Sequence, residues 1–113
     1  MKLKNKELEN VLKALYNIGN RQPIKERFEL TKIAHEFKKA QDIVQEQIDQ
    51  IIQERYKKDG TTNSIQRGDE EYIGLMNCDC DVDFKGFALK ELEAYNPSMQ
   101  ELEALVPIIK EGD

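Results

Sequence analysis

The chain has 113 residues, 17 basic and 22 acidic side chains, a net charge of −5, one His, two Cys and no Trp. That length fits a single domain, and Leu, Ile, Val and Phe supply about a quarter of it, above the roughly 20 % below which chains stay disordered. No apolar run approaches the roughly 18 residues of a membrane-spanning helix, and no apolar stretch follows Met1-Lys-Leu-Lys-Asn-Lys, which argues against a secretory signal.

The first predicted element is a helix. Leu8, Val11, Leu12, Leu15 and Ile18 recur at the spacing of one buried helical face. Asn5 suits its N-cap, because its side-chain oxygen can accept from a free backbone N–H. Gly19 suits a left-handed C′ position that ends it. A short turn over Asn20, Arg21 and Gln22 leads to Pro23, expected at the first position of a second helix.

From Pro23 to Lys58 no Gly or further Pro interrupts the chain. Leu30, Ile33, Phe37, Ala40, Val44, Ile48 and Ile51 step by three or four and form one stripe. At 1.5 Å per residue this helix is about 54 Å long, against about 35 Å for the diameter of a compact domain of this size. The stripe is therefore expected to project, to kink or to be covered by a second copy. Ile24, Phe28, Ile43 and Ile52 lie off the stripe, and Ile43, Ile48 and Ile52 are the candidate contacts of a homodimer. Lys25, Lys32 and Lys39, with Glu29 and Glu36 between them, read as a solvated, ion-paired face.

Residues 59–68 read as a polar, mobile loop, and Asp69 to Met76 as a short helical turn. Cys78-Asp-Cys-Asp-Val-Asp-Phe84 alternates strictly, as a half-buried strand does. Cys78, Cys80, Val82 and Phe84 face one way, and Asp79, Asp81 and Asp83 form an acidic face on the other. Lys2-Leu3-Lys4 is the expected partner strand, its lysines opposite the aspartates. Lys90 to Ala94 is a short acidic segment and Asn96-Pro97 a turn. Ser98 and Glu101 form a capping box for a last helix with Met99, Leu102, Leu105, Val106 and Ile109 on its face, kinked or ended by Pro107. The fold class is thus α+β and mostly α. A helical hairpin over residues 5–58, one arm long, packs with a small antiparallel sheet and a C-terminal helix in 69–113.

The chemical motifs fail their tests. Asp79-x-Asp81-x-Asp83 lacks the Gly and Glu of a calcium loop, since Phe84 and Lys90 hold those positions. Cys78 and Cys80 lack metal or redox spacing and read as two small buried hydrophobes. His35 has no nucleophile or orienting carboxylate in any motif. No phosphate loop, dinucleotide glycine pattern or nucleophile elbow occurs. The expectation is a non-enzyme with no cofactor and no metal. Glu101 and Glu103 read as surface-helix acids.

Charge divides the chain. Residues 1–58 carry 13 basic against 9 acidic groups, and residues 59–113 carry 4 against 13. Such halves can pair within a chain or between copies. No dense Lys/Arg cluster with aromatics appears, so direct nucleic-acid binding is not expected.

The opening Met1-Lys-Leu-Lys-Asn-Lys-Glu-Leu, the charged helix ending in Tyr-Lys-Lys-Asp-Gly, the acidic alternating strand and the tail Leu89-Lys-Glu-Leu-Glu to Ser98-Met-Gln-Glu-Leu-Glu-Ala-Leu resemble a family. It comprises small uncharacterised proteins of phages and prophages of Gram-positive bacteria. Pro107 and the Cys pair depart from its pattern. The resemblance implies a phage-derived origin and carries over no site residues. The functional expectation is a protein-interaction or assembly accessory in the host cytoplasm. The alternative is an acidic decoy that occupies a host protein's nucleic-acid groove.

Overall fold

The computed structural model describes residues 1–56 and 68–110. In chain order these are β1 (Lys2–Lys4), a 3₁₀ turn (Asn5–Glu7), α1 (Leu8–Gly19), α2 (Ile24–Ile51), a π turn (Ile52–Tyr56), α3 (Glu70–Asn77), β2 (Asp79–Asp81), α4 (Leu89–Tyr95), α5 (Met99–Leu105) and a 3₁₀ turn (Val106–Ile108). The expected polar loop lies, except for Gly68, outside the described residues, as does the expected helix end at Lys58.

The helical hairpin forms as its periodicity requires. Leu8, Val11, Leu12, Leu15 and Ile18 are all buried, and α1 packs against α2 more extensively than any other pair of elements. On α2, Leu30, Phe37, Val44 and Ile51 are buried, while Ile33, Ala40 and Ile48 are half-buried. Ala34 joins them in the core. The stripe is thus covered within one chain, by α1 and by residues following β2, so helix length alone does not require a second copy. The regular α-helical part of the long arm ends at Ile51, and the chain continues helically in the π turn. The 28 residues of α2 span about 42 Å, within an overall extent of 51 × 29 × 24 Å.

The two strands pair antiparallel, with Lys2 opposite Asp81, Leu3 opposite Cys80 and Lys4 opposite Asp79. Alternation of Lys and Leu in β1 and of Asp and Cys in β2 buries Leu3 and leaves the charges in solvent. Val82 and Phe84 follow on the inner side. The Phe84 ring meets Phe37 of α2 edge-on at 5.8 Å and Phe87 at 4.9 Å, and Phe87 meets Tyr95 at 6.4 Å. Edge-to-face rings at these separations add attraction beyond area burial. They tie the sheet, the long helix and α4 into one core. Phe87 N–H donates to the Ile108 carbonyl and Lys110 N–H to the Phe87 carbonyl, both at 2.8 Å, which anchors the C-terminal turn.

Several local expectations are corrected. Asn5 does not cap α1. It is buried in the preceding turn, where its Nδ2 donates to the Leu75 carbonyl at 2.8 Å and its backbone N–H to the Cys78 carbonyl at 2.9 Å. Gly19 stays helical and buried, facing Leu30 across the hairpin. Among the described residues the left-handed positions are Asn96, with φ 53°, which ends α4, and Gly86, with φ 96°. Pro23 is the residue before α2 and not its first helical one. The strand is three residues long, and Cys78 is exposed at its entrance. The acidic segment after Phe87 is a full short helix, α4, held by buried Leu92. On the last helix Met99 and Val106 are exposed, and Ile108 takes the buried place instead. Pro107 ends α5 in a 3₁₀ turn, as its missing N–H dictates.

Glu101 is the largest correction. It is buried, not a surface acid. Its Oε2 and Oε1 accept from Arg21 Nη1 and Nη2 at 2.7 and 2.6 Å, and Oε1 also accepts from Ser98 N–H at 2.8 Å. The Arg21 fork, together with the Ser98 hydrogen bonds, holds its carboxyl down at about 2 against the opposing effect of burial. The α1–α2 turn is thereby locked to the start of α5. Gln22 adds a second tie, its Nε2 donating to the Tyr95 carbonyl at 2.9 Å.

Candidate functional site

Helical spacing puts Glu36, Ala40, Ile43 and Gln47 on one flank of α2, since they step by three or four. Lys39 stands beside them, its Nζ 3.0 Å from Glu36 Oε1. This flank faces β2 across a groove of about 420 Å³, floored by Val44, Leu75, Cys80 and Val82 and rimmed by Asp79, Asp81 and Asp83. Its volume lies in the range of roughly 300–1,000 Å³ typical of binding sites. Four carboxylates and one ammonium line it, so its field is negative. Ile43, 62 % exposed, is the apolar prominence on its helical wall.

The sheet's hydrogen bonds show which way the β2 backbone faces. Val82 N–H donates to the Met1 carbonyl at 2.8 Å, and the Met1 amine donates back to the Val82 carbonyl at 2.9 Å. Such reciprocal pairs alternate along an antiparallel ladder. Cys80 therefore turns its main-chain groups to Leu3, and Asp79 and Asp81 turn theirs away from β1. Among the described residues no strand pairs with the groove side of β2. Asn5 lines the same groove, and its Oδ1 is a buried acceptor with no donor among the described residues. An unmet buried acceptor costs about 1–3 kcal/mol.

The residues singled out in the sequence are distributed unevenly. Asp79, Asp81 and Asp83 are exposed together along the groove, as the alternation implies. Asp81 Oδ1 also receives the Met1 amine at 3.1 Å. Ile43 joins them in the groove, whereas Ile48 packs against the core and Ile52 is half-buried in the π turn. The three isoleucines do not share one surface. Glu36, Lys39, Ala40, Gln47 and Asn5 were missed. The signal that pointed to this flank was Ile43, an apolar residue off the buried stripe, but no local pattern said that β2 would face it.

Among the described residues no group of three His, Cys, Asp or Glu side chains is arranged to hold a metal ion. Cys80 donates its thiol to the Leu3 carbonyl at 3.4 Å, and burial pushes its pKa up. His35 is exposed on α2. A second concavity of about 380 Å³ lies between α4 and α5, lined by Leu89, Leu92, Pro97 and Leu102 with Lys90 and Glu93 at its edge. Among the described residues no helix is long and apolar enough to cross a membrane. Comparison with known proteins returns no matching family model, no matching curated protein and no matching solved structure.

Proposed function

We propose that the chain is a non-enzymatic protein-interaction accessory of phage type, acting in the host cytoplasm, and that the groove between α2 and β2 receives its partner. The observation that carries the reading is the groove itself. It combines the groove-side edge of β2, a row of exposed carboxylates and a solvent-exposed Ile43. These are groups that a partner can engage through hydrogen bonds, charge and apolar contact. The phage assignment rests on the sequence resemblance alone.

The acidic-decoy reading is weaker on one specific ground. Lys2 and Lys4 stand directly opposite Asp81 and Asp79 on the outer face of the sheet. That face alternates in sign, whereas a nucleic-acid backbone presents uninterrupted negative charge.

The experiment is capture from a lysate of a Gram-positive host, with and without nuclease, using the tagged chain and the variant Asp79→Lys, Asp81→Lys, Asp83→Lys. A partner held by the wild type through nuclease treatment, and lost by a variant with unchanged circular dichroism, supports the reading. Equal retention by both chains overturns it.

A further inference from the structure

The interaction reading can be deepened to the chemistry of what binds. We infer that the groove edge of β2 takes an extended polypeptide segment of the pattern basic–apolar–basic, which adds as a third strand between β2 and α2. The inference rests on the interaction reading above and fails with it, but it can also fail alone.

Asp79 and Asp81 are two apart and both turn N–H and C=O into the groove, because the β1 ladder uses the groups of Cys80 and Val82. A strand laid beside them pairs its own residues with these two, and the edge gains up to four main-chain hydrogen bonds (two at each residue). Strands sit about 4.8 Å apart, and the groove of about 420 Å³ is open on that side.

Charge and polarity select the pattern of the added strand, and the molecule contains its own template. On the other edge β2 pairs with Lys2-Leu3-Lys4, which places lysines against Asp81 and Asp79 and buries Leu3 on the inner side. A strand on the groove edge meets the same alternation. Its outward residues flank Asp79 and Asp81, where cations are favoured and carboxylates repelled. Its inward residue lies beside Cys80 and faces Ala40 and Ile43 of α2, where an apolar side chain is favoured.

Like charge disfavours a symmetric dimer through this edge. Two β2 edges brought together place aspartate beside aspartate, which is destabilising. Edge charges of this kind keep identical chains apart and leave the edge open to a basic strand. The occupant is therefore not the same edge of a second copy, and a basic strand of a different polypeptide fits it.

The test titrates the full chain with a fluorescein-labelled peptide, Gly-Lys-Val-Lys-Val-Lys-Gly, read by anisotropy, beside sedimentation of the chain alone. A second peptide carries N-methyl groups on the amides that would pair with β2, which keeps its charge and removes its donors. The expected result is saturable binding to a monomeric chain, weakened about tenfold or more by N-methylation and by Asp79→Asn with Asp81→Asn. Equal binding of both peptides overturns the added strand and leaves only charge attraction. No binding up to about 1 mM overturns it as well. A dimer of the chain that the peptide dissolves assigns the edge to a second copy and overturns the inference too. If both peptides fail while lysate capture still depends on Asp79, Asp81 and Asp83, the added strand is wrong and the interaction reading stands.

Discussion

Arg21 and Glu101 stand 80 positions apart and meet in a two-bond fork of 2.6 and 2.7 Å, with the carboxylate buried and the guanidinium half in solvent. One side chain belongs to the turn of the helical hairpin and the other to the first turn of α5. The same carboxylate completes the Ser98 capping box, so one residue both starts a helix and fastens it to the rest of the fold.

That arrangement predicts an acid-side loss of stability. Glu101 is held at about 2 in the folded chain, below its ordinary value of 4.5. A carboxyl whose folded pKa is depressed contributes stability that is complete above its unfolded pKa and disappears as pH falls through the folded one. The contribution is therefore whole above about pH 5 and is lost progressively towards pH 2. Glu101→Gln is expected to cost about 1–2 kcal/mol at neutral pH, the low end for a charged hydrogen bond, because the freed Arg21 can rehydrate. Urea melts of both chains at pH 7 and pH 3 check this. The difference between them should shrink at the lower pH.

Gly86 is required by geometry. Its φ of 96° is a left-handed conformation, and a Cβ there would stand 3.2 Å from the Ile108 carbonyl oxygen and 2.9 Å from Lys110 Cγ. Lysine can swing away, but the carbonyl is fixed by the hydrogen bond from Phe87. Gly86→Ala should destabilise by about 1–3 kcal/mol. Gly74→Ala, where a Cβ meets open space inside α3, should be neutral or stabilising by up to about 1 kcal/mol. Opposite signs in thermal melts are the expected pattern, and equal effects would contradict the conformation given to residue 86.

The two thiols should react differently. Cys78 is exposed, whereas Cys80 is half-buried, donates to the Leu3 carbonyl and has its pKa raised by burial. The thiolate is the reactive form, so near neutral pH iodoacetamide should label Cys78 in the native chain and reach Cys80 only slowly. Raising the pH should narrow the gap, and denaturant should remove it. Mass spectrometry of time points after quenching decides the matter. Equal native rates would mean that β2 does not hold Cys80 against β1.

What the sequence disclosed follows from the range of each interaction. The α1 face, the capping box at Ser98 and the pairing of the β1 lysines with the aspartates are written in spacings of two to four residues or in matched alternation, and all appear in the structure; the exact register does not follow from alternation alone. Arg21 with Glu101, and Ile43 beside Asp81, are not written that way. The first pair depends on α1 packing against α5, and the second on the Phe37–Phe84 contact between α2 and the chain after β2. A short helix such as α4, with one buried residue, leaves too little periodicity to be distinguished from a polar loop. Cys78 continues the strand's alternation, yet the end of α3 claims it first, its N–H donating to the Leu75 carbonyl at 3.1 Å.

Ile43 and Val44 offer the sharpest check on the rotational setting of α2. They are neighbours in sequence, yet the first is 62 % exposed in the groove and the second is 8 % exposed in the core. A helix turns about 100° per residue, so one step takes a side chain from the groove wall to the core face. Ile43→Lys places its charge in water beside a negative groove and should change stability by no more than about 0.5 kcal/mol. Val44→Lys has to bury or drag out an ammonium among Phe37, Val82 and Ile48, and should cost more than about 3 kcal/mol or prevent folding. Val44→Ala provides a measurable companion at about 1–2 kcal/mol if the lysine variant does not fold. A second copy clasping Ile43 would reverse the first result, since Ile43→Lys would then lower both the melting temperature and the sedimenting mass. A wild-type mass of one chain with a melting temperature indifferent to Ile43→Lys is the outcome that the covered α2 stripe predicts.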